Sequence, residues 1–271
     1  MQTSKKRSLA QKKILIAEDV ELNQQLARHM MEAWGVVVDI ASNGREALGK
    51  VQQWEYDLVL MDIHMPEMDG LEATRQIRQI VVPAKAAVPI VALTANALKG
   101  DRERFLEAGM NDYLSKPFNE ADLYEIIARN LTDMSPIQFD TQVAIESQHA
   151  EPVDVPTTDK LYDLALVYSI AGGDESFVLR MLQLFLDTMP LTLQDMHRET
   201  GVENWQQVGK LAHKLKSTVD SMGIVSLKQV IRQIEQNGKK EEETAGIAAD
   251  VQLVTKVMLE CAEQVKKDYR L

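Results

Sequence analysis

The sequence contains a single cysteine, Cys261, among its 271 residues. One thiol excludes an intramolecular disulfide and any zinc site built from several cysteines, which fits a reducing compartment. Positive charge is also scarce: 30 lysines and arginines face 41 aspartates and glutamates, for a formal net charge of −11. Such a chain repels nucleic acids and anionic membranes but attracts a metal cation. We therefore predict a cytoplasmic protein that binds no nucleic acid directly.

Long hydrophobic runs are absent as well. The most apolar window, residues 81–98, contains two prolines and Lys85, so it fits a loop and a strand better than a membrane span. We predict no membrane segment in this chain. The composition, 45% hydrophobic and 26% charged, is typical of a soluble globular protein, and the length suits two domains.

Three segments with different patterning divide the sequence. Over residues 12–131, short apolar runs alternate with helical periodicity, which predicts a five-stranded, doubly wound parallel (βα)5 domain. Residues 132–159 carry three prolines and no sustained period, so we predict a flexible linker spanning roughly 30 Å, enough to let two domains meet. Over residues 160–271 strand signals are missing, and helical periodicity predicts an all-α bundle.

The stretch LVLMDIHMPEMDG, residues 58–70, shows a buried strand that ends on a carboxylate, Asp62. In parallel α/β sheets ligands bind at the carboxyl ends of the strands. The other predicted strands also end in polar residues, which are Glu18 and Asp19 after the first, Thr94 at the fourth and Lys116 at the fifth. Carboxylates about 4 Å apart repel by roughly 4 kcal/mol at an effective dielectric of 20, so a divalent cation is expected. Oxygen ligands suit Mg²⁺, and the whole set predicts phosphoryl transfer with Asp62 attacking phosphorus.

The motifs LIAEDVELNQ, LVLMDIHMPEMDG, VALTANA and MNDYLSKPF resemble those of two-component response-regulator receiver domains over roughly residues 12–131. The resemblance implies that Asp62 is the phospho-acceptor. It also implies a set of Mg²⁺ ligands, namely Asp19, Asp62, the backbone carbonyl of His64 and, largely through water, Glu18.

The same resemblance assigns roles around the phosphoryl group. Thr94 and Lys116 are expected to contact its oxygens, Tyr113 is the expected switch aromatic, and the Lys116–Pro117 peptide bond is expected to be cis. His64 and Asn96 occupy positions that tune phosphoryl lifetime in the family.

Two enzyme classes share parts of this pattern. A phosphatase of the haloacid-dehalogenase type needs a second acid where His64 stands. A flavodoxin-like mononucleotide binder needs amides and hydroxyls after the first strand, where Glu18 and Asp19 would repel a phosphate. An acid pair alone is more often a turn or a helix cap, but the agreement of five residues at four strand ends favours the receiver site.

The helical part holds a second candidate site, in residues 208–224, VGKLAHKLKSTVDSMGI. Its apolar residues share one helical stripe, so a neighbouring face is predicted to be exposed and to carry His213, Lys216, Ser217 and Asp220. An exposed neutral imidazole is a competent nucleophile near pH 7, and Lys216 one turn later would stabilise a phosphoryl group attached to it. A lone surface histidine usually has no such role.

The segment AHKLKSTVDSMG resembles the HxLKGxxxxxG signature of histidine-containing phosphotransfer (HPt) domains, and the resemblance extends over residues 160–271. It implies that His213 carries a phosphoryl group. Ser217 stands where the family usually has glycine. Asp220 adds a negative charge, which we expect either to repel a phosphoryl group or to raise the basicity of the imidazole.

Together these resemblances imply a phosphorelay module that uses Mg²⁺. The expected partners are a histidine kinase as phosphoryl donor and the receiver domain of a downstream response regulator. No glycine-rich nucleotide lid is visible, so ATP chemistry is expected from a partner. The architecture resembles the C-terminal part of hybrid sensor histidine kinases, of which the chain is either a fragment or a free-standing counterpart. The alternative is an interaction switch, in which phosphorylation controls a helical docking module that transfers nothing.

Overall fold

The computed structural model describes residues 8–95, 101–131, 160–241 and 243–271. The predicted linker, residues 132–159, lies outside these ranges. Five parallel strands form one sheet in the order β2-β1-β3-β4-β5. They are β1 Lys13–Ala17, β2 Val37–Ala41, β3 Leu58–Asp62, β4 Ile90–Thr94 and β5 Asp112–Ser115. The doubly wound parallel sheet is thus confirmed, with its apolar central strands β3 and β4 buried along their whole length because helices cover both faces.

In the described part of this domain, six helices connect and cover the strands. They are α1 Glu21–Glu32, α2 Gly44–Gln53, α3 Gly70–Arg78, α4 Pro83–Ala86, α5 Asp101–Glu107 and α6 Glu120–Asn130. Asn43, Asp69 and Asn119 begin α2, α3 and α6, since each side chain accepts a hydrogen bond from the backbone N–H three residues later. Such caps satisfy backbone donors that the first helical turn leaves free.

Within its described residues, the C-terminal part contains helices and no strand. Its helices are α7 Ala165–Ala171, α8 Glu175–Gly201, α9 Trp205–Ser221, α10 Lys228–Lys240 and α11 Ile247–Tyr269. Asp174 caps α8, since its side chain accepts a hydrogen bond from the backbone N–H of Phe177. Between α9 and α10, Gly223 adopts a left-handed backbone conformation with φ of 62°, and a 3-10 turn, Val225–Leu227, precedes α10. Within the described residues, none of the helices combines the length and apolarity needed to cross a membrane.

The two domains pack against each other through α1, which contacts α7, α8 and α9. The ring of His29 on α1 stacks on Phe177 of α8 with ring centroids 3.8 Å apart. Leu26 and Met30, on the same side of α1, line a small cavity together with Ile170 of α7. This packing sets α9 against the carboxyl edge of the sheet.

Candidate functional site

Acidic side chains meet one lysine at the carboxyl edge of the sheet. Asp62 ends β3 and Glu18 follows β1, and each is only 2% exposed. The Nζ atom of Lys116 lies 2.6 Å from Oε2 of Glu18 and 2.5 Å from Oδ2 of Asp62. A buried ammonium between two buried carboxylates offsets much of the cost of placing the acids side by side.

Glu18 and Asp19, which follow β1, differ in the hydrogen bonds that their carboxylates accept. Oε1 of Glu18 accepts hydrogen bonds from the backbone of Val20 and from Asn23, yet burial raises its pKa to about 7. Burial also raises the pKa of Asp19. Oδ1 of Asp19 is buried and, among the described residues, has no hydrogen-bond partner. A buried carboxylate oxygen without a hydrogen-bond partner needs some other ligand, and a bound cation would satisfy it.

Lys116 reaches the acids from the loop that follows β5. Its backbone N–H donates to the carbonyl of Thr94 at 2.7 Å, and the Lys116–Pro117 peptide bond is cis, as the motif predicts. Thr94 ends β4 and is 4% exposed. Tyr113 lies on β5 with its ring 6.2 Å from that of Phe105. Asn96, named above for phosphoryl lifetime, lies outside the described residues.

The environment of His213 differs from the predicted one. His213 and Lys216 are each 7% exposed, so the expectation that both lie on an exposed face is wrong. Two elements cover them: Glu235 of α10 contacts both side chains, and the His64 ring from the other domain lies 4.8 Å from the His213 ring. Periodicity identifies faces of a helix, but it does not show which neighbours cover a face.

The structure also shows what surrounds Ser217 and Asp220, the two residues that depart from the HPt signature. Ser217 lines a cavity of about 40 Å³ between the domains. Asp220 directs its carboxylate to α10, where Arg232 lies 3.1 Å and Lys228 3.8 Å away. Its charge is therefore paired with arginine and lysine rather than with the imidazole, which corrects the expectation stated above.

The packing of the domains brings the two predicted nucleophiles together. A carboxylate oxygen of Asp62, a ring nitrogen of His64 and a ring nitrogen of His213 all lie within 4.8 Å of one another. Carboxylate oxygens of Glu18, Asp19 and Asp62 form a second such group. Burial, followed by the proximity of His213, lowers the pKa of His64 to about 4, so this ring is neutral near pH 7.

Three residues at this junction were not identified from the sequence. Glu235 of α10 contacts His213, and Lys239 of α10 pairs with Glu235. Lys214 extends across to Asp19, with Nζ 3.4 Å from Oδ2. The one available signal was a pair of helix-interior glycines, Gly209 and Gly238, because glycine in a helix is costly unless another backbone approaches it.

Comparison with known proteins identifies both halves. Residues 14–128 match the family described as "Response regulator receiver domain", and residues 180–267 match the family described as "Hpt domain". The chain is a receiver domain followed by an Hpt domain. The fused architecture predicted from the motifs is therefore confirmed.

Relatives that align with most of this chain include two proteins of Escherichia coli (strain K12). The chain is 31% identical to "Signal transduction histidine-protein kinase BarA" over 233 residues, which cover 85% of this chain and 24% of the relative. It is 33% identical to "Aerobic respiration control sensor protein ArcB" over 223 residues, 82% of this chain and 27% of the relative. The chain thus spans about a quarter of these relatives.

Among solved structures, one similar protein is the receiver domain of sensor histidine kinase PA1611 from Pseudomonas aeruginosa PAO1. It shares 44% sequence identity, covers 45% of this chain and 98% of its own, and has a TM-score of 0.42. That structure is described with a magnesium ion coordinated in its active site cleft. The receiver and Hpt domains together make this chain a phosphorelay module, and the alternative of a docking switch without transfer is not favoured.

Proposed function

We propose that a phosphoryl group passes between Asp62 and His213 of this chain. The observation that carries the proposal is the position of a ring nitrogen of His213 within 4.8 Å of a carboxylate oxygen of Asp62. In an in-line near-attack arrangement, the attacking and leaving atoms on either side of phosphorus are on the order of 5 Å apart. The separation of the two nucleophiles matches that requirement.

The transfer conserves every electron pair. Asp62 first accepts a phosphoryl group from a donor phosphohistidine and holds it as an acyl phosphate. A lone pair of His213 then forms the nitrogen–phosphorus bond while the bond between phosphorus and the Asp62 oxygen breaks, and its electron pair remains on the carboxylate. Lys116, now between Glu18 and Asp62, is positioned to turn its ammonium toward the phosphoryl oxygens.

The acidic residues of the receiver fit a magnesium ion. Glu18, Asp19 and Asp62 supply carboxylate oxygens within 4.8 Å of one another, and Oδ1 of Asp19 is buried without a hydrogen-bond partner in the described part of the chain. We assign direct ligation to Asp19, Asp62 and the carbonyl of His64, and a water-mediated contact to Glu18. A bound Mg²⁺ neutralises charge on the phosphoryl oxygens.

The packed arrangement also constrains the partners. Asp62 is 2% exposed and His213 7% exposed, so neither can meet an external protein while the two domains are packed together. We propose that the donor is a histidine kinase, that the final acceptor is a receiver domain of another protein, and that each gains access when the domains separate. The transfer from Asp62 to His213 takes place while they are together.

Acetyl phosphate labelling in Mg²⁺ tests this assignment. The wild-type chain, Asp62→Asn and His213→Gln are labelled, and base-stable phosphohistidine is scored separately from base-labile phosphoaspartate. His197→Gln is the matched control, because His197 lies in the same domain but bonds to Thr255. We expect base-stable label in wild type and in the control, and in neither site variant. Label that stays on Asp62 in wild type, with no base-stable phosphohistidine, contradicts the proposal.

A further inference from the structure

Two histidine rings lie side by side where the domains meet. The ring of His64, in the loop after β3, lies 4.8 Å from the ring of His213 on α9, and the ring planes are tilted by 56°. Asp62 lies beside both, since one of its carboxylate oxygens and one nitrogen of each ring are all within 4.8 Å of one another. The proposed transfer uses Asp62 and His213 but gives the His64 ring no role.

Each of these three side chains keeps a donor atom for a further ligand. Oδ2 of Asp62 accepts from Lys116, whereas Oδ1 accepts one hydrogen bond, from the backbone N–H of His64 at 3.1 Å. A carboxylate oxygen has two lone pairs, so Oδ1 has one left. Nδ1 of His213 contacts Glu235, and Nε2 remains available. Among the described residues, none forms a hydrogen bond with the His64 ring.

The donor set indicates the class of ion that fits. Two imidazole nitrogens and one carboxylate oxygen suit a divalent transition metal such as Zn²⁺, whereas Mg²⁺ takes oxygen ligands. Zinc sites with three protein ligands keep a water in the fourth position. The carboxylate of Glu235 lies 2.5 Å from Nδ1 of His213, which is where a zinc-bound histidine usually has its outer partner.

The geometry of the three donors is close to that of a zinc site. Tetrahedral bonds of about 2.0–2.1 Å place the ligand atoms about 3.4 Å apart. Donors that now lie within 4.8 Å therefore close by no more than roughly 1.4 Å. Part of the His64 side chain is open to solvent, so its ring has room to turn and the ion has a path of entry.

We propose that Asp62, His64 and His213 form a zinc site that joins the two domains and holds the phosphorelay in an inactive, packed state. The ion occupies donor atoms of both proposed nucleophiles, so it blocks acceptance of a phosphoryl group by Asp62 and its transfer to His213. Two ligands come from the receiver and one from the Hpt domain. The complete site exists only while the domains are packed, and a bound ion therefore stabilises that state by mass action.

Metal binding to the full chain tests the site directly. Wild type, His64→Gln and His213→Gln are titrated with Zn²⁺ by calorimetry in buffer without Mg²⁺, near pH 7.5, where an imidazole with the ordinary pKa of about 6.5 is mostly neutral. Co²⁺ is titrated in parallel, because its visible absorption is strong only in four-coordinate sites. His197→Gln is the matched control, since His197 lies in the Hpt domain and bonds to Thr255. Circular dichroism shows whether each protein is folded.

We expect wild type and His197→Gln to bind one ion per chain at the site and to give the strong cobalt absorption. His64→Gln and His213→Gln should each bind Zn²⁺ at least roughly tenfold more weakly, the lower end of the loss caused by removing an outer partner of a metal site. Both should also lose the cobalt absorption. If His213→Gln does not fold, His64→Gln decides the outcome, because His64 belongs to neither hydrophobic core.

Hydrogen exchange tests the joining of the domains. Zn²⁺ should slow exchange in α1 and α7, which contact each other across the domain boundary, in wild type and not in His64→Gln. Removal of the ion with a chelator should restore the original exchange rate.

Equal Zn²⁺ affinity in all four proteins overturns the site, because the ion then lies on other side chains, such as the carboxylates after β1. Zinc that binds through both histidines without slowing exchange in α1 overturns the link between the domains. None of these measurements uses a phosphoryl donor. A chain in which Asp62 is labelled but His213 never is would overturn the proposed transfer, while the zinc titrations would still decide this inference.

Discussion

The close contact between α9 and α10 is tested by replacing Gly209 with alanine. The new Cβ would lie 2.7 Å from the nitrogen of Lys239 and 3.0 Å from the carbonyl carbon of Gly238. Non-bonded carbon atoms prefer separations of about 3.5–4.0 Å. Both neighbours are backbone atoms of α10, so the strain cannot be relieved by rotating a side chain, and the two helices must move apart.

Two opposing effects set the magnitude. Alanine favours a helix interior over glycine by about 1 kcal/mol. Overpacking a close contact costs about 1–3 kcal/mol, and a backbone-to-backbone clash belongs at the upper end. We therefore expect Gly209→Ala to lower the free energy of unfolding of the Hpt domain by about 2 kcal/mol. Moving α10 away also lengthens the bond from His213 to Glu235, so transfer from Asp62 should slow as well.

The assay is urea unfolding of the full chain followed by circular dichroism, with hydrogen exchange assigning the transition to α9 and α10. Gly201→Ala is the control, because Gly201 ends α8 and nothing lies within 4 Å of the position a Cβ would take. That variant should be unchanged or more stable by up to about 1 kcal/mol. If Gly209→Ala is as stable as Gly201→Ala, the close-contact reasoning is refuted.

Three further predictions concern charge and burial. Lys214→Ala removes the ion pair to Asp19 across the domain boundary and should slow transfer about two- to fivefold at low salt, as an ion pair worth up to about 1 kcal/mol predicts. The wild-type rate at high salt should approach that of the variant. The pKa of Glu235 in the folded protein lies below its ordinary value of 4.5. The difference in free energy of unfolding between wild type and Glu235→Gln should therefore be largest above pH 4.5 and shrink as the pH falls. A difference that grows in acid contradicts this prediction. Cys261 is fully buried, and burial raises its pKa to about 12. A thiol reagent at pH 8 should therefore modify Cys261 only when the Hpt domain unfolds in urea. Rapid modification of the folded chain would contradict the buried position of Cys261 on α11.

The receiver site was predictable from the sequence because its residues follow strand ends. Short apolar runs separated by period-3.6 segments locate β1, β3 and β4, and the geometry of a parallel sheet then places Glu18, Asp62 and Thr94 at one edge. Lys116 was also placed there, but its pairing with two acids was not foreseen. Strand patterns give positions along an edge, whereas the pairing of side chains depends on burial and charge.

The Hpt site was predictable only in part. His213 and Lys216 stood out because they share a helix face at short sequence spacing. Glu235 did not, because it reaches His213 from a different helix, 22 residues later in sequence, and contact between helices is set by packing that a single sequence does not display. The predicted exposure of His213 was wrong for the same reason. The sequence also did not predict that the two domains pack through α1, because the linker composition permits docking without requiring it.

The central claim is that phosphoryl transfer takes place within one chain, and its dependence on protein concentration tests that claim most directly. Wild-type transfer from Asp62 to His213 is compared with transfer in a mixture of His213→Gln and Asp62→Asn, in which the donor aspartate and the acceptor histidine lie on separate molecules. Two sites joined in one chain have an effective concentration in the millimolar range, so the wild-type rate should be independent of dilution and far above the rate of the mixture at micromolar protein. A wild-type rate that falls with dilution and equals that of the mixture would contradict transfer within one chain.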